Sequence, residues 1–277
     1  MKFTLTLLLA LWLPGISQAK AIATETQAIS AASSPVVSDS VLAAPRLSAQ
    51  AYLLYDYTSR QVLYEHKGNE RVEPASLTKL MTAYVAFTAL KLNKLSLSDK
   101  VTPSAQAIQS QPSESRMFLS HSKPVSIVDL LRGLIVVSAN DAARVLAETL
   151  ANNEAAFAEL MNKEAQKLGM RDTHFANATG LPDPLHYSSA YDLALLTSAL
   201  LNDFPEHFSM YSQREFEYNH IKHYNRNRLL WLDPYVDGMK TGHTESSGYS
   251  LVSSATRNNH RLISVVLGTP SESLRSS

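Results

Sequence analysis

Apolar positions follow two periods along this chain. Ala51 to Asp56 and Gln61 to Glu65 are short runs rich in aromatic and β-branched residues, parted by Tyr57, Thr58, Ser59 and Arg60, and they predict a β-hairpin. Pro74 to Leu90 is apolar almost all the way round, the pattern of a helix buried on every side. Ser126, with Asp129 three residues on, reads as a capping box that opens a helix from Leu130 to Val137. Asn140 and Asp141 start a second helix running to Leu150, Glu154 to Leu168 makes a third that Gly169 ends, and Tyr191 to Leu201 makes a fourth. Near the end, Gly248 to Ser253 and Arg261 to Leu267 flank Asn258 and Asn259, again a hairpin signal. Strands at both ends with helices between predict an α+β fold: an antiparallel sheet closed by distant segments, flanked by helices, with a helical subdomain inserted.

Upstream of the first hairpin the pattern lapses. Met1 and Lys2 precede an apolar run from Phe3 to Leu13, then Pro14, Gly15 and the small residues Ser17 and Ala19, so residues 1–19 read as a secretory signal peptide. The run falls short of the roughly 20 residues that a membrane-spanning helix needs. Residues 20–46 are rich in Ala, Ser and Thr and read as a linker, in which Val36, Val37, Val41 and Leu42 form an apolar patch able to dock on the domain. The domain itself is expected over 47–277. The chain of 277 residues carries 25 basic and 25 acidic side chains and no basic run, which argues against nucleic acid as a partner. Without cysteine it has neither a disulfide framework nor a thiolate metal site.

Candidate chemistry begins with Ser76 and Lys79, two polar residues at the start of the buried helix. One reading is local: the serine caps the helix and the lysine snorkels to water. The other is catalytic. Residues three apart share a helix face, so the hydroxyl and the amine can meet. Burial disfavours the ammonium and can lower its pKa until a neutral amine accepts a proton. Free N–H groups at a helix N-terminus can then stabilise an oxyanion.

Two further stretches bear on that choice. Ser138, Ala139 and Asn140 lie at a junction between predicted helices, and Lys240, Thr241 and Gly242 lie on a predicted strand. With Ser76 to Lys79 they make S-x-x-K, S-x-N and K-T-G in order, with about 60 and then about 100 residues between them. The longer strings Pro74 to Thr82, Arg132 to Ala142 and Val236 to Thr244 are more specific still, and through them the region from Leu47 onward resembles the D-alanyl-D-alanine carboxypeptidases, the low-molecular-mass penicillin-binding proteins.

That resemblance implies a secreted, periplasmic or cell-wall-facing enzyme of penicillin-binding-protein fold, which trims the terminal D-alanine from peptidoglycan stem peptides ending in D-Ala-D-Ala. It implies that Ser76 is the nucleophile and Lys79 its general base. Ser138 would relay a proton toward the leaving amine while Asn140 holds Lys79 and the substrate amide. The amides of Ser76 and His243 would form the oxyanion hole. Lys240, Thr241 and Gly242 would line the far wall, with Lys240 as a cation that favours a carboxylate-ended substrate. Arg275 matches the arginine that grips this carboxylate. Arg226 is a weaker candidate for the rim, and a surface role is expected for it. β-Lactams would be covalent inhibitors at the same serine.

Rival readings share the fold. A class A β-lactamase places a glutamate on an E-x-x-L-N loop; between Asp141 and Met239 only Glu159 to Asn162 comes near it, with the wrong spacing and inside a predicted helix. A DD-endopeptidase or transpeptidase would use the same acylation step, and a non-catalytic wall-binding protein would keep the pocket without turnover. His220 and His223 lack a third ligand and H-E-x-x-H is absent, so neither metal nor other cofactor is expected. His174 and His186 are expected to be structural or exposed. The resemblance further implies a C-terminally truncated chain: a covering helix, a second β-rich domain and a membrane-attaching tail would lie beyond Ser277. Membrane attachment would depend on that segment, and its loss would leave one sheet face apolar and wet.

Overall fold

The computed structural model describes residues 47–276. The predicted signal peptide and linker, with their apolar patch, lie outside the described residues. The first hairpin forms as β1 (Ala51–Asp56) and β2 (Gln61–His66). The last forms as β8 (Gly248–Arg257) and β9 (His260–Thr269), where Asn258 and Asn259 take φ values of 50° and 63°. Two successive left-handed residues are what a two-residue hairpin turn needs, and asparagine tolerates them. With β7 (Val236–Thr244) these strands make one antiparallel sheet in the order β2-β1-β9-β8-β7. Chain ends more than 150 residues apart in sequence thus meet side by side at β1 and β9, as the strand order predicted.

Between them lies the helical region: α1 (Lys79–Lys91), α2 (Ile127–Arg132), α3 (Asn140–Ala151), α4 (Glu154–Lys167) and α5 (Ala190–Asp203). The helix α1 packs against α3, α4 and α5, which explains why it is apolar on all sides; Leu80, Met81, Ala83, Ala86 and Phe87 are all within 1% of full burial. The helix α5 bridges the layers by packing on β1 and β9. Ser126 caps α2 as predicted, its Oγ accepting the Asp129 amide at 3.2 Å. The reciprocal half of the box differs: Ser126 Oγ donates to Asp129 Oδ2 at 2.6 Å, so the carboxylate never reaches the backbone.

The structure departs from the sequence reading at one helix boundary and in its short elements. The helix expected to run to Val137 becomes a π-helical segment from Gly133 to Val137, and ends at Ser138 in the left-handed region. Sequence periodicity also leaves out the short strands β3 (Lys100–Val101) and β4 (Val125–Ser126), the hairpin β5 (Glu215–Tyr218) and β6 (Ile221–Tyr224), and the short helices α6 (Leu229–Leu232) and α7 (Glu272–Arg275). Elements of two to four residues carry too few alternations to register. On the sheet face opposite Val252 and Val265, Leu251 and Val266, paired across β8 and β9, are 2% and 7% exposed, while Tyr52, Leu54 and Leu262 on the same face are half-buried.

Candidate active site

The three motifs converge from three different elements. Ser76 sits in a 3₁₀ turn, Ala75–Thr78, that leads directly into α1, rather than in the first turn of the α-helix itself. Ala75 holds φ at 49°, a sparsely populated conformation for a side-chain-bearing residue. Two glycines make room for this turn. A Cβ on Gly242 of β7 would stand 3.0 Å from Pro74 O, and one on Gly180 would stand 1.9 Å from Ala75 O. The glycine of K-T-G therefore lets the edge strand lie against the nucleophile turn. Beyond it, Thr244 and Ser246 hydroxyls donate to the Glu73 carboxylate and tie the β7–β8 turn to the chain just before Ser76.

Lys79 is 1% exposed, and its Nζ lies 3.0 Å from Ser76 Oγ and 2.6 Å from the Thr179 carbonyl. Burial, reinforced by the positive charge of Arg144, lowers its pKa to about 7. A neutral amine has two N–H groups and one lone pair; with one N–H held by Thr179 O, the lone pair can face the serine hydroxyl. The lysine does not snorkel and the serine makes no side-chain cap, so the local reading fails at both residues. Thr179 is placed by Asn177, whose Oδ1 accepts from the Thr179 and Gly180 amides at 3.1 and 2.8 Å. Behind the turn, His186 is 3% exposed: its Nδ1 accepts the Ala176 amide at 3.0 Å, so Nε2 carries the proton donated to Thr78 Oγ1 at 2.7 Å. Burial drops its pKa to about 4.

Ser138, at φ 64°, ends the π-helical segment and turns its Oγ to accept from Lys240 Nζ at 2.8 Å. Lys240 is 2% exposed, and burial together with the charge of Lys79 pushes its pKa well below the ordinary lysine value. Arginines bring charge to the cleft, since Arg226, Arg228 and Arg275 line one cavity of about 450 Å³ with Ser76, Ser138, Thr241 and His243. Arg226 is exposed at the rim of this cavity, and its Nε donates to Val137 O at 3.1 Å, beside Ser138. Arg275 is 7% exposed, packs over the Tyr249 ring and pairs with Glu272 at 2.8 Å. The His243 ring rests on Tyr249, 4.1 Å between centroids.

Asn140 departs most from its predicted partner. Its Nδ2 donates to Glu114 Oε2 at 2.8 Å, and the amine of Lys79 is held by Thr179 and Ser76. Glu114 shares a second cavity of about 550 Å³ with Ser76, Asn140 and Thr179. A cavity of about 780 Å³ opens on the far side of Glu114, and one of about 810 Å³ opens around Glu159 to His174; neither holds Ser76, so chemistry rather than volume identifies the site. Glu114, Arg144, Thr179 and His186 escaped the sequence reading as site residues. Only Asn177 to Gly180 left a signal, since Asn three residues before Gly is turn chemistry. His220 and His223 belong to the β5–β6 hairpin, where His223 stacks between Phe118 and Phe216. Glu159 lies on α4, and its neighbour in the string, Asn162, bonds both backbone groups of Phe175.

The family model described as D-alanyl-D-alanine carboxypeptidase matches residues 38–271. The D-alanyl-D-alanine carboxypeptidase DacA of Haemophilus influenzae is 48% identical over 229 residues, 82% of this chain and 58% of its own length. Penicillin binding protein 5 from Haemophilus influenzae superposes with a TM-score of 0.82 at 46% identity, covering 84% of this chain and 69% of that one. Penicillin-Binding Protein D2 from Listeria monocytogenes, solved in a cefotaxime-bound form, does so at 0.77 and 33% identity, covering 84% and 94%. The chain therefore spans less than two thirds of the length of the DacA relative.

Proposed function

This chain belongs to the D-alanyl-D-alanine carboxypeptidase family, and from that premise we propose that it is a serine DD-carboxypeptidase acting through an acyl-enzyme on Ser76. One observation carries the reading: a buried lysine with a pKa near neutrality stands 3.0 Å from a serine hydroxyl. In the acylation step Ser76 Oγ attacks the carbonyl carbon between two D-alanines, and its proton passes to Lys79 Nζ. The resulting oxyanion is stabilised by amides of the Ser76 turn and of the edge strand β7. When the C–N bond breaks, Ser138 relays a proton to the departing amine: it gives up its own and regains one from the Lys79 ammonium, which returns Lys79 to the neutral amine for the next step. Lys240 already donates to Ser138 Oγ, which leaves the serine's own O–H free to point outward.

Asn140 presents its Oδ1 to a substrate N–H, since its Nδ2 is committed to Glu114. The substrate's terminal carboxylate is drawn to the wall with Arg226, Arg228 and Arg275, and Arg275 holds it. Water then attacks the ester with Lys79 as base. Glu114 is a weak base for activating water, because the Gln111, Asn140 and Arg144 donors hold its carboxyl below the ordinary range. β-Lactams acylate the same serine, and with a tethered leaving group the ester persists. The substrate is peptidoglycan stem peptide, reached after secretion across the inner membrane.

Incubating the purified chain with a fluorescent penicillin and with diacetyl-lysyl-D-alanyl-D-alanine tests this. A long-lived adduct on Ser76, absent from Ser76→Ala, with D-alanine released from the peptide, is the expected result. Adduct without D-alanine release would mean a non-catalytic binder, and a rapidly lost adduct would mean a β-lactamase.

A further inference from the structure

Behind the reaction centre, Glu114 and Arg144 form an ion pair at 2.7 Å whose side chains are 7% and 15% exposed. No sequence motif marks either residue. Every contact of the carboxylate is specified: Oε1 accepts the Gln111 amide at 3.0 Å, and Oε2 accepts Asn140 Nδ2 at 2.8 Å and Arg144 Nη2 at 2.7 Å. Although burial alone would raise its pKa, these donors hold the Glu114 carboxyl below its ordinary range, so it stays an anion. An anionic carboxylate donates nothing. The Asn140 carboxamide therefore has one compatible orientation, with Nδ2 toward Glu114 and Oδ1 turned away from it. Arg144 completes the frame, its Nη1 donating to Gln109 O at 2.6 Å, and Asn140 N donates to Ser115 O at 2.7 Å.

We propose, building on the acyl-enzyme reading above, that Glu114 and Arg144 are positioning residues for the reaction: Glu114 locks the orientation of Asn140, and the two opposite charges balance one another at Lys79. The charged and titratable groups facing Lys79 are Arg144 and Asp141 from α3, Glu114 from the segment before it, Arg226, Lys240 from β7, and His186. After burial, Arg144 is the largest of these influences and favours the neutral amine; Glu114 is the next and favours the ammonium. Arginine alone would push the amine's pKa lower and glutamate alone would push it higher. The pair allows Asn140 a carboxylate partner without that second consequence.

The signs make the proposal testable. Acylation requires neutral Lys79, so its rate rises with pH through the lysine pKa. The rate of fluorescent-penicillin acylation is measured from pH 5 to 9 for the full chain and for Glu114→Gln, Arg144→Gln and the double variant. Glu114→Gln removes an anion and moves the acid limb to lower pH; Arg144→Gln removes a cation and moves it to higher pH, each by about one unit or somewhat less. The double variant returns the limb close to its original place. Its plateau rate still falls about tenfold or more, because a glutamine can face Asn140 with either end and no longer locks it. Should a single variant, left with an unpaired charge, fail to fold, the double variant decides through its unmoved limb and lowered plateau. Shifts of the same sign in both single variants, or a double variant with an unchanged plateau, would overturn the inference alone. An unmodified chain that never acylates would overturn the acyl-enzyme reading itself.

Discussion

Replacing Lys79 by methionine should abolish acylation and yet stabilise the protein at neutral pH. The unfolded chain carries this lysine at its ordinary pKa of 10.5, whereas in the folded chain burial lowers it to about 7. At pH 7 the unfolded state therefore binds a proton that the native state half releases, and the difference destabilises the fold by about 4 kcal/mol. At pH 9.5 the unfolded lysine is itself losing its proton and the penalty falls to roughly 1 kcal/mol. Methionine has nearly the same length and carries no charge, but it leaves the Thr179 carbonyl without its donor, which costs about 1–3 kcal/mol at any pH. The variant should thus gain roughly 1–3 kcal/mol at pH 7, and that advantage should shrink by about 3 kcal/mol on going to pH 9.5. Urea unfolding of both proteins at the two pH values measures it. The change with pH is the decisive quantity, since the lost hydrogen bond cancels from it. A stability difference that stays constant between pH 7 and 9.5 would refute a neutralised Lys79, and with it the general-base assignment.

His186 supplies a test at the other end of the scale. With a folded pKa of about 4 against 6.5 unfolded, its neutral burial is fully stabilising above pH 6.5 and is lost as the pH falls toward 4, by roughly 2–4 kcal/mol; thermal melts across that range should show the loss in the native protein and not in His186→Gln. Gly180→Ala should be among the most damaging substitutions in the chain, because φ is 82° and the new Cβ would meet the Ala75 carbonyl at 1.9 Å. We expect it to cost more than about 3 kcal/mol, or to displace the Ser76 turn and suppress penicillin acylation, and a soluble, normally acylated variant would contradict the packing described. Arg275→Ala should raise KM for a peptide ending in a free carboxylate by about tenfold or more, and change little for the same peptide ending in a carboxamide. Equal effects on the two substrates would remove Arg275 from carboxylate recognition.

What could be read from the sequence alone was whatever is written in neighbouring residues. The three-residue spacing of Ser76 and Lys79, the apolar circumference of α1, the Asn258–Asn259 turn and the three motif strings are local statements, and local steric and hydrogen-bonding rules suffice to interpret them. The choice between a snorkelling lysine and a catalytic one was not local. It depended on burial, and burial depends on α3, β7 and the Asn177–Gly180 turn closing around one amine. Thr179 reaches Lys79 from 100 residues away, and Glu114 reaches Asn140 from 26 and Arg144 from 30. A backbone carbonyl leaves no mark in the identity of its side chain, and a charge balance leaves none in the spacing of its members. Both are properties of distances through space, set only when strands from the two ends of the chain pair and press the helices together, and it is there that the protonation state of Lys79 and the orientation of Asn140 were decided.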